Sequence, residues 1–419
     1  MGLALRRRLT TWQFYLIAAW IAQFFAIAGF SAVFPFLPFY IRELGVTDPQ
    51  QVTLWAGMLT SSSAIAMALI APFWGWIADR RGRKLMVVRA TFGGSVVMSA
   101  MALAANVQQL FVLRLLQGLL TGTISAFMAL VTSFVPESEA GFALGMMQMA
   151  VYAGNTLGPL IGGLAADHLG YRGTFVLTGA FLFLAGVLTV FGIKESARPS
   201  TSSSSQGTLI GQAFALIRQS QITAVMLIIG GFYIASAVTV PTLPLFIESL
   251  LGSAAMVNTS TGTIYGLRAL TSALAAGLIG RLADRLGSRP LMIISLAGAA
   301  VALAGHALAP NYTVLIISSL AAGIFIGGLL PSANAILARL SSPDQRGMVF
   351  GFSSSINAFG NAVGPMLGAS AASAWGLRAS FWLAAGLLGA LSVWAGAAVR
   401  QVDPPRKPIR LPRLLRRAR

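Results

Sequence analysis

The sequence predicts an all-α membrane protein of twelve transmembrane helices, arranged as two six-helix bundles that are related by a pseudo-twofold axis. Two observations lead to this fold class. The chain of 419 residues is 56% hydrophobic, with a mean hydropathy of +0.77, which is more apolar surface than a soluble domain can cover. In addition, the second half repeats motifs of the first half in the same order, so one six-helix unit is present twice.

Twelve weakly charged stretches, numbered here as spans 1 to 12, are each near or above the roughly 20 residues that cross a bilayer as a helix. They cover residues 14–41, 52–78, 86–106, 115–135, 142–166, 173–193, 222–247, 262–280, 291–309, 312–338, 348–376 and 379–399. Between spans 6 and 7 the composition changes to Ser, Thr, Gly and Pro, which is typical of a flexible linker. We therefore expect a first bundle over 1–194, a linker over 195–218, a second bundle over 219–400 and a basic tail over 401–419.

The basic residues predict the orientation of the spans. Of the 29 Lys and Arg residues, all but five fall in segments on the same side of the membrane as the two termini. The exceptions are Arg42, Arg114, Arg172, Arg268 and Arg378. Because cytoplasmic loops carry an excess of Lys and Arg, we expect a multi-pass protein of the cytoplasmic (inner) membrane with both termini in the cytoplasm. The same bias accounts for the net charge of +18 without a nucleic-acid partner. The chain has no cysteine, which excludes disulfide and thiol chemistry.

The internal repeat has an offset of about 206 residues. The corresponding segments are FPFLPFYIRELG (34–45) with VPTLPLFIESLLG (240–252), GWIADRRGRK (75–84) with GRLADRLGSR (280–289), and GNTLGPLIGG (154–163) with GNAVGPMLGA (360–369). Each pair occupies the same place in its half. Parallel six-span repeats of this kind most often belong to transporters that rock about a central site.

With GWIADRRGRK between spans 2 and 3 and GNTLGPLIGG in span 5, the chain resembles the major facilitator superfamily, in particular its twelve-span drug:proton antiporters. Over residues 54–90 it is most similar to the MdtG-like multidrug exporters. The resemblance implies the major facilitator fold and the export of drug-like or amphipathic small molecules by alternating access, coupled to proton entry. It also implies a monomer in the lipid bilayer that uses the proton gradient, and no cofactor, as its energy source.

Two alternatives to an exporter remain open at this point. One is an importer or facilitator of an anionic small solute, with Arg114 and Arg268 as the binding cations. The other is a membrane receptor or scaffold that transports nothing. An enzyme is not supported, because the sequence has no Walker-type phosphate loop, metal-ligand cluster or nucleophile elbow.

The charged motif after span 2, and its copy after span 8, predict a gate. The resemblance implies that Asp79 reaches the cytoplasmic end of span 11, beside Arg346, and holds the cytoplasmic side shut. Asp284 is its equivalent in the second half. The basic neighbours also act as topology signals, and the glycine of each motif is expected to form a turn with positive φ. The expected gate residues are Asp79, Arg80, Gly82, Arg83, Asp284, Arg285 and Arg346.

Glycines recur every fourth residue in spans 5 and 11, and each series contains a proline. Small-residue faces of this kind allow close helix packing, and proline bends the backbone. The resemblance further implies that these faces form the interface between the halves and seal the exit side. The residues concerned are Gly154, Gly158, Pro159, Gly162 and Gly163 in span 5, and Gly360, Gly364 and Pro365 in span 11.

A proton antiporter is expected to hold a titratable carboxylate within the membrane, but no acidic residue falls in the middle of a predicted span. Arg114, in span 4, costs about 2.5–3.5 kcal/mol on insertion scales and should therefore face a cavity or a partner. The resemblance links this arginine to proton coupling, and snorkelling to the nearby outer surface is the alternative. The other candidates for coupling are Glu43, Asp167, His168 and Glu248.

Polar residues at helical spacing predict the substrate cavity. Gln148, Tyr152 and Asn155 share one face of span 5, and the repeat makes Asn155 equivalent to Asn361 of span 11. For Arg268, contact with an anionic part of the substrate and an ion pair with a carboxylate are both open. For the others, hydrogen bonds between helices are the alternative to substrate contact. The remaining candidates are Gln23, Tyr233, Tyr265, Arg268, Asn334 and Asn357.

Overall fold

The computed structural model describes residues 10–194, 220–252, 256–341 and 346–400, and within these ranges it leaves out the side chains at 79, 280, 281, 284, 285, 346 and 347. The linker predicted over 195–218 and the tail predicted over 401–419 lie outside the described residues. The described ranges are built of helices, and no β-strand occurs in them. This confirms the predicted all-α class.

Six spans form the first half. The helices are Thr11–Val33 and Leu37–Glu43 (span 1), Pro49–Arg81 (span 2), Arg83–Met101 (span 3), Val107–Leu120 and Thr123–Phe134 (span 4), and Ala140–Gly192 (spans 5 and 6). The last of these has 53 residues and would be about 80 Å long if straight, which is too long for one crossing. It is interrupted at Gly170, where φ is 71° and ψ is 175°. Residues 140–169 therefore form span 5, and residues 171–192 form span 6.

The second half repeats this arrangement. The helices are Ser220–Val238 and Leu243–Leu251 (span 7), Val257–Leu286 (span 8), Ser288–Leu308 (span 9), Tyr312–Leu340 (span 10), Arg346–Trp375 (span 11) and Arg378–Ala398 (span 12). Within the described ranges, nine helical runs are long and apolar enough to cross a membrane. They account for every span except 3 and 11, which complete the two sets of six. Each half has a hydrophobic core, and the core cluster of the first half also includes Leu245 of span 7.

Span 4 differs from its prediction in two ways. It begins at Val107 and not at 115, because the side chain of Asn106 caps the helix by accepting a hydrogen bond from the backbone N–H of Gln109 at 2.9 Å. Span 3, predicted to run to 106, accordingly ends at Met101. Span 4 is also broken at Gly122, which has a φ of 107°. The equivalent span 10 runs without a break from Tyr312 to Leu340.

Two side chains bind carbonyl groups at the break in span 4. Trp74 donates its indole N–H to the carbonyl of Leu119 at 2.7 Å, and Arg89 donates to the carbonyl of Thr121 at 3.3 Å. The Arg89 guanidinium also lies 3.6 Å from the centre of the Trp74 ring. Because a broken helix leaves carbonyls without helical partners inside the membrane, these contacts allow the break to exist there.

Candidate functional site

The two ends of the bundle differ, and we name them by the chain. The terminal side carries the start of span 1 and the end of span 12. The distal side carries the turns at Gly45, Gly170, Gly252 and Gly376, all with positive φ.

The glycine faces of spans 5 and 11 pack within their own halves. A Cβ added to Gly162 would lie 2.0 Å from the carbonyl oxygen of Ala32 in span 1, and one added to Gly364 would lie 2.7 Å from the carbonyl oxygen of Ile234 in span 7. Gly154, Gly158 and Gly360 face the same two neighbours. The prediction that these faces form the interface between the halves is therefore wrong for these five glycines, because their close approach is to spans 1 and 7.

The halves meet at the distal ends of span 2 with span 11 and of span 5 with span 8. A Cβ on Gly163 would lie 2.6 Å from the carbonyl oxygen of Asn258 in the other half. Gly262 faces the Pro159 carbonyl, and Gly57 faces the Pro365 carbonyl, at 2.2 and 2.9 Å by the same measure. Gly163 and the two prolines thus lie at the interface, although the regularly spaced glycines do not.

Polar contacts close the distal side, and we call them the distal gate: the pair Arg42 and Glu248, and the group Asp167, Asn258 and Thr259. Arg42 Nη1 lies 2.6 Å from Glu248 Oε2 and 2.8 Å from Oε1. The two residues are 206 positions apart and belong to opposite halves. They therefore occupy equivalent positions of the repeat. This equivalence is a signal in the sequence that would have identified Arg42 as a candidate partner of Glu248.

Asp167 caps span 8 from the other half. Its carboxylate accepts from Asn258 Nδ2 at 2.8 Å, from the Thr259 backbone N–H at 3.0 Å and from the Thr259 hydroxyl at 2.5 Å. Span 8 has no side-chain cap of its own, since the residue before the helix is Met256. A carboxylate at this place satisfies free N–H groups of the first turn and interacts favourably with the helix dipole.

The other two residues predicted as proton carriers lie near the gate. Glu43 accepts from Arg172 Nε at 3.0 Å, and His168 is exposed at the distal end of span 5. The remaining Arg172 nitrogens donate to the carbonyls of Ala102 and Ala104. Three of the four candidates therefore make contacts at the distal end, and their role in proton transfer stays a prediction.

The terminal side is open between the halves. Near that end, a Cβ on Gly145 of span 5, Gly277 of span 8 or Gly351 of span 11 would meet no atom of the described residues within 4 Å. Large apolar side chains there are exposed, including Phe142 at 60% and Leu278 at 67%. The helices that touch at the distal end therefore separate toward the terminal end.

The gate predicted after span 2 lies at this open end. The side chains of Asp79, Asp284, Arg285 and Arg346 lie outside what the structure describes, so their predicted contacts stay predictions. Gly82 and Gly287 form the two turns with φ of 97° and 88°, as expected from the sequence. Arg80 lies 3.9 Å from the centre of the Trp76 ring, and Arg83 donates to the carbonyl of Ala129 at 3.1 Å.

Polar side chains lie on the exposed faces of spans 5 and 11. Asn155 accepts from the Ser31 hydroxyl at 2.6 Å, and Asn361 donates to the Asn357 side chain at 2.5 Å. Tyr152 of span 5 is 41% exposed, and Tyr233 of span 7, in the other half, is half-buried. Predicted cavity residues therefore lie on exposed or half-buried faces in both halves. Three further candidates, Gln148, Tyr265 and Asn334, are half-buried.

The prediction that Gln23 lines the substrate cavity is corrected by the structure. It is fully buried, and neither atom of its amide has a hydrogen-bond partner among the described residues. It faces the interior of the first half, so it does not line an open cavity in this conformation. The hydroxyl of Tyr265, unlike the amide of Gln23, has a partner within its own half, because it donates to the carbonyl of Val240 at 3.2 Å.

Arg114 is fully buried, which excludes snorkelling to the surface. Its Nη1 donates to Gln117 Oε1 at 2.7 Å, and its guanidinium lies 4.8 Å from the centre of the Phe34 ring. Its Nε and Nη2 have no partner among the described residues. Arg268 is half-buried, and no ion pair or side-chain hydrogen bond joins it to a described residue. Both are cations without a carboxylate partner in the part of the chain that the structure describes.

Comparisons with known proteins agree with this geometry. The sequence profile of the Major Facilitator Superfamily matches residues 19–257 and 225–417. The Multidrug resistance protein MdtG of Escherichia fergusonii is 34% identical over 374 residues, covering 89% of this chain and 91% of that protein. The protein of the same name from Klebsiella pneumoniae is 32% identical over 391 residues, covering 93% and 94%.

Solved structures show the same fold. A bacterial homologue of the human lysosomal transporter Spinster, in an inward-facing and occupied conformation, superposes with a TM-score of 0.78 at 17% identity, covering 91% of this chain and 96% of its own. The nucleoside transporter NupG superposes with a TM-score of 0.77 at 16% identity, covering 92% and 98%.

Proposed function

This chain belongs to the major facilitator superfamily, and from that premise we propose that it exports drug-like or amphipathic small molecules by alternating access. Relatives that are 32–34% identical over most of the chain are named multidrug resistance proteins, which supports this class of substrate. The chain is a multi-pass membrane transporter and not an enzyme. We further propose that it works as a monomer and without nucleic acid.

The observation that carries the proposal is the difference between the two ends of the bundle. The distal gate joins the halves through Arg42 with Glu248 and through Asp167 with span 8, whereas the helices separate toward the terminal side. Alternating access requires one conformation that is closed at one end and open at the other. With both termini in the cytoplasm, as the basic residues predict, this conformation faces inward.

We propose that the open side leads to a cavity that suits an amphipathic compound. Asn155 and Asn361 offer hydrogen-bonding groups from opposite halves, and Tyr152 and Tyr233 add aromatic surface from each half. Met149, which is 58% exposed, lies on the same helix as Tyr152. Flexible apolar side chains beside a few polar groups are typical of sites that accept several ligands.

We propose that proton entry drives export and that Arg114 takes part in the coupling. Nε and Nη2 of Arg114 have no hydrogen-bond partner among the described residues. Since the charge of a guanidinium buried in the membrane is weakly screened, Arg114 should respond strongly to a change of charge nearby. Arg114→Ala is expected to abolish export driven by a pH gradient, whereas Arg114→Lys keeps part of it. Both variants should still bind substrate.

The test uses proteoliposomes loaded with a fluorescent drug. An imposed pH gradient should accelerate export by the parent protein, and proton release should follow addition of substrate to the purified protein. Equilibration of the drug at the same rate with and without the gradient would contradict proton antiport.

A second candidate function is a facilitator for an anionic solute. Arg268 favours it, because its half-buried guanidinium has no ion pair among the described residues and lies in the middle of span 8. Gradient-independent uptake of an organic anion, lost in Arg268→Gln, would support this candidate over the exporter. A receptor or scaffold, in contrast, would show no transport and would tolerate Asp79→Asn.

A further inference from the structure

A cavity of about 400 Å³ opens on the distal side, where spans 2 and 11 meet. The gate pair Arg42 and Glu248 forms part of its wall. Thr53 of span 2 and Ser373 of span 11 also line it, and Leu245 and Leu377 supply apolar surface. Its volume is within the range of small-molecule sites, and it lies at the distal end, away from the substrate cavity proposed above.

The halves meet along two seams, one between spans 2 and 11 and one between spans 5 and 8. The repeat explains why the cavity exists at only the first of these. On the other seam, between spans 5 and 8, Asp167 fills the gap by bonding to the first turn of span 8. An offset of about 206 residues places Ser373 at the position equivalent to Asp167. Serine is too short and has no charge, so the first turn of span 2 receives no carboxylate from the other half. That turn is capped by its own Asp48 instead.

Arg42 gives this cavity its chemistry. Both hydrogen bonds to Glu248 come from Nη1, and Nε and Nη2 bond to no described residue. The side chain is 36% exposed, so this free edge can be reached. A carboxylate fits the edge of a guanidinium with two parallel hydrogen bonds. The leucines beside it suit a compact apolar body.

We propose that the cavity on the spans 2 and 11 seam binds an amphipathic carboxylate from the distal side, with Arg42 bridging Glu248 and the ligand. Its walls come from both halves, so the site exists only while the distal gate is closed. A ligand that binds one conformation shifts the equilibrium toward it. The bound carboxylate therefore holds the conformation that is open on the terminal side and slows export. This consequence, unlike the binding itself, rests on the proposed function.

Calorimetry on the purified protein tests the binding, with 2-naphthoate as the probe and neutral 2-naphthamide as the matched ligand. A charge-assisted pair of hydrogen bonds predicts about tenfold tighter binding of naphthoate. Arg42→Gln should remove that preference. Glu248→Gln, which keeps Arg42 and removes the competing negative charge, should strengthen naphthoate binding several-fold. Weaker binding in both variants would indicate mere loss of the gate and would overturn the site.

Position and sidedness are tested separately. Ala374→Phe adds bulk at the rim of the cavity and should weaken binding of both ligands, whereas Leu169→Phe, at the exposed distal end of span 5, should leave binding unchanged. Naphthoate added to the distal side of proteoliposomes should slow drug export. Any slowing by the same concentration on the terminal side should not depend on Arg42. Equal affinity for the two ligands, or binding unaffected by Ala374→Phe, would refute the proposal. Binding without any drug export would refute the proposed function and leave the site standing.

Discussion

Replacement of Asp167 by alanine is expected to shift the protein toward the conformation that is open on the distal side. In the structure, this carboxylate accepts hydrogen bonds from Asn258 and Thr259 across the boundary between the halves. These bonds break when the halves separate there. They therefore stabilise only the conformation with a closed distal gate.

The size of the effect follows from the contacts that are lost. Removing an N-terminal cap costs about 0.5–2 kcal/mol, and a side-chain hydrogen bond contributes a net 0.5–1.5 kcal/mol or so. Since Asp167 is exposed, we take about 2 kcal/mol for the whole set, which raises the population of the distal-open conformation roughly 30-fold. Asp48→Ala is the matched control. Asp48 caps span 2 of its own half, at 3.0 Å from the Gln51 nitrogen, so its loss affects both conformations equally.

The natural absence of cysteine makes the assay direct. A single cysteine replaces Leu160, which packs on Gly266 across the same seam. A membrane-impermeant maleimide, added to the distal side of sealed vesicles, should label this cysteine faster in Asp167→Ala by the factor given above. An unchanged rate, or an equal increase in Asp48→Ala, would show that the cap does not distinguish the two conformations.

Three other perturbations test different contacts. Arg42→Glu should raise the same labelling rate several-fold, and adding Glu248→Arg should restore it, because a partly exposed ion pair contributes about 0.2–1 kcal/mol; no restoration would argue against the pair. Gly162→Ala should lower the thermal unfolding midpoint in detergent, since overpacking costs about 1–3 kcal/mol, whereas Gly145→Ala on the same helix should leave it unchanged or raise it. Trp74→Phe should lower the midpoint by an amount equivalent to about 1 kcal/mol, and no change would show that the carbonyl at the span 4 break has another partner.

The sequence predicted those parts of the fold that depend on composition along the chain. Hydropathy located the twelve spans, and the turn glycines Gly82 and Gly287 were identified from their motifs. The break in span 4 was not foreseen, because Gly122 alone does not interrupt a helix. The break also depends on Trp74 and Arg89, which lie in other spans and reach its carbonyls only in the folded bundle.

The site was predicted in part, for a related reason. Helical spacing placed Asn155 and Asn361 correctly on exposed faces, since spacing determines which residues share a face. It could not say which neighbour a small-residue face approaches, and span 1 was therefore not identified as the partner of Gly162. Nor could it find the cap between Asp167 and Thr259, because this contact joins two halves whose relative placement is not encoded in either one alone.

The gate pair has a consequence for how such a chain can arise. Arg42 and Glu248 are copies of one ancestral position and meet each other. In a symmetric dimer of identical six-helix proteins, that residue would face its own twin, and two arginines or two glutamates would repel. An attractive pair of opposite charges becomes accessible only once the two copies can diverge from each other, as the two halves of this chain have done. This contact therefore distinguishes a fused transporter from a homodimeric ancestor.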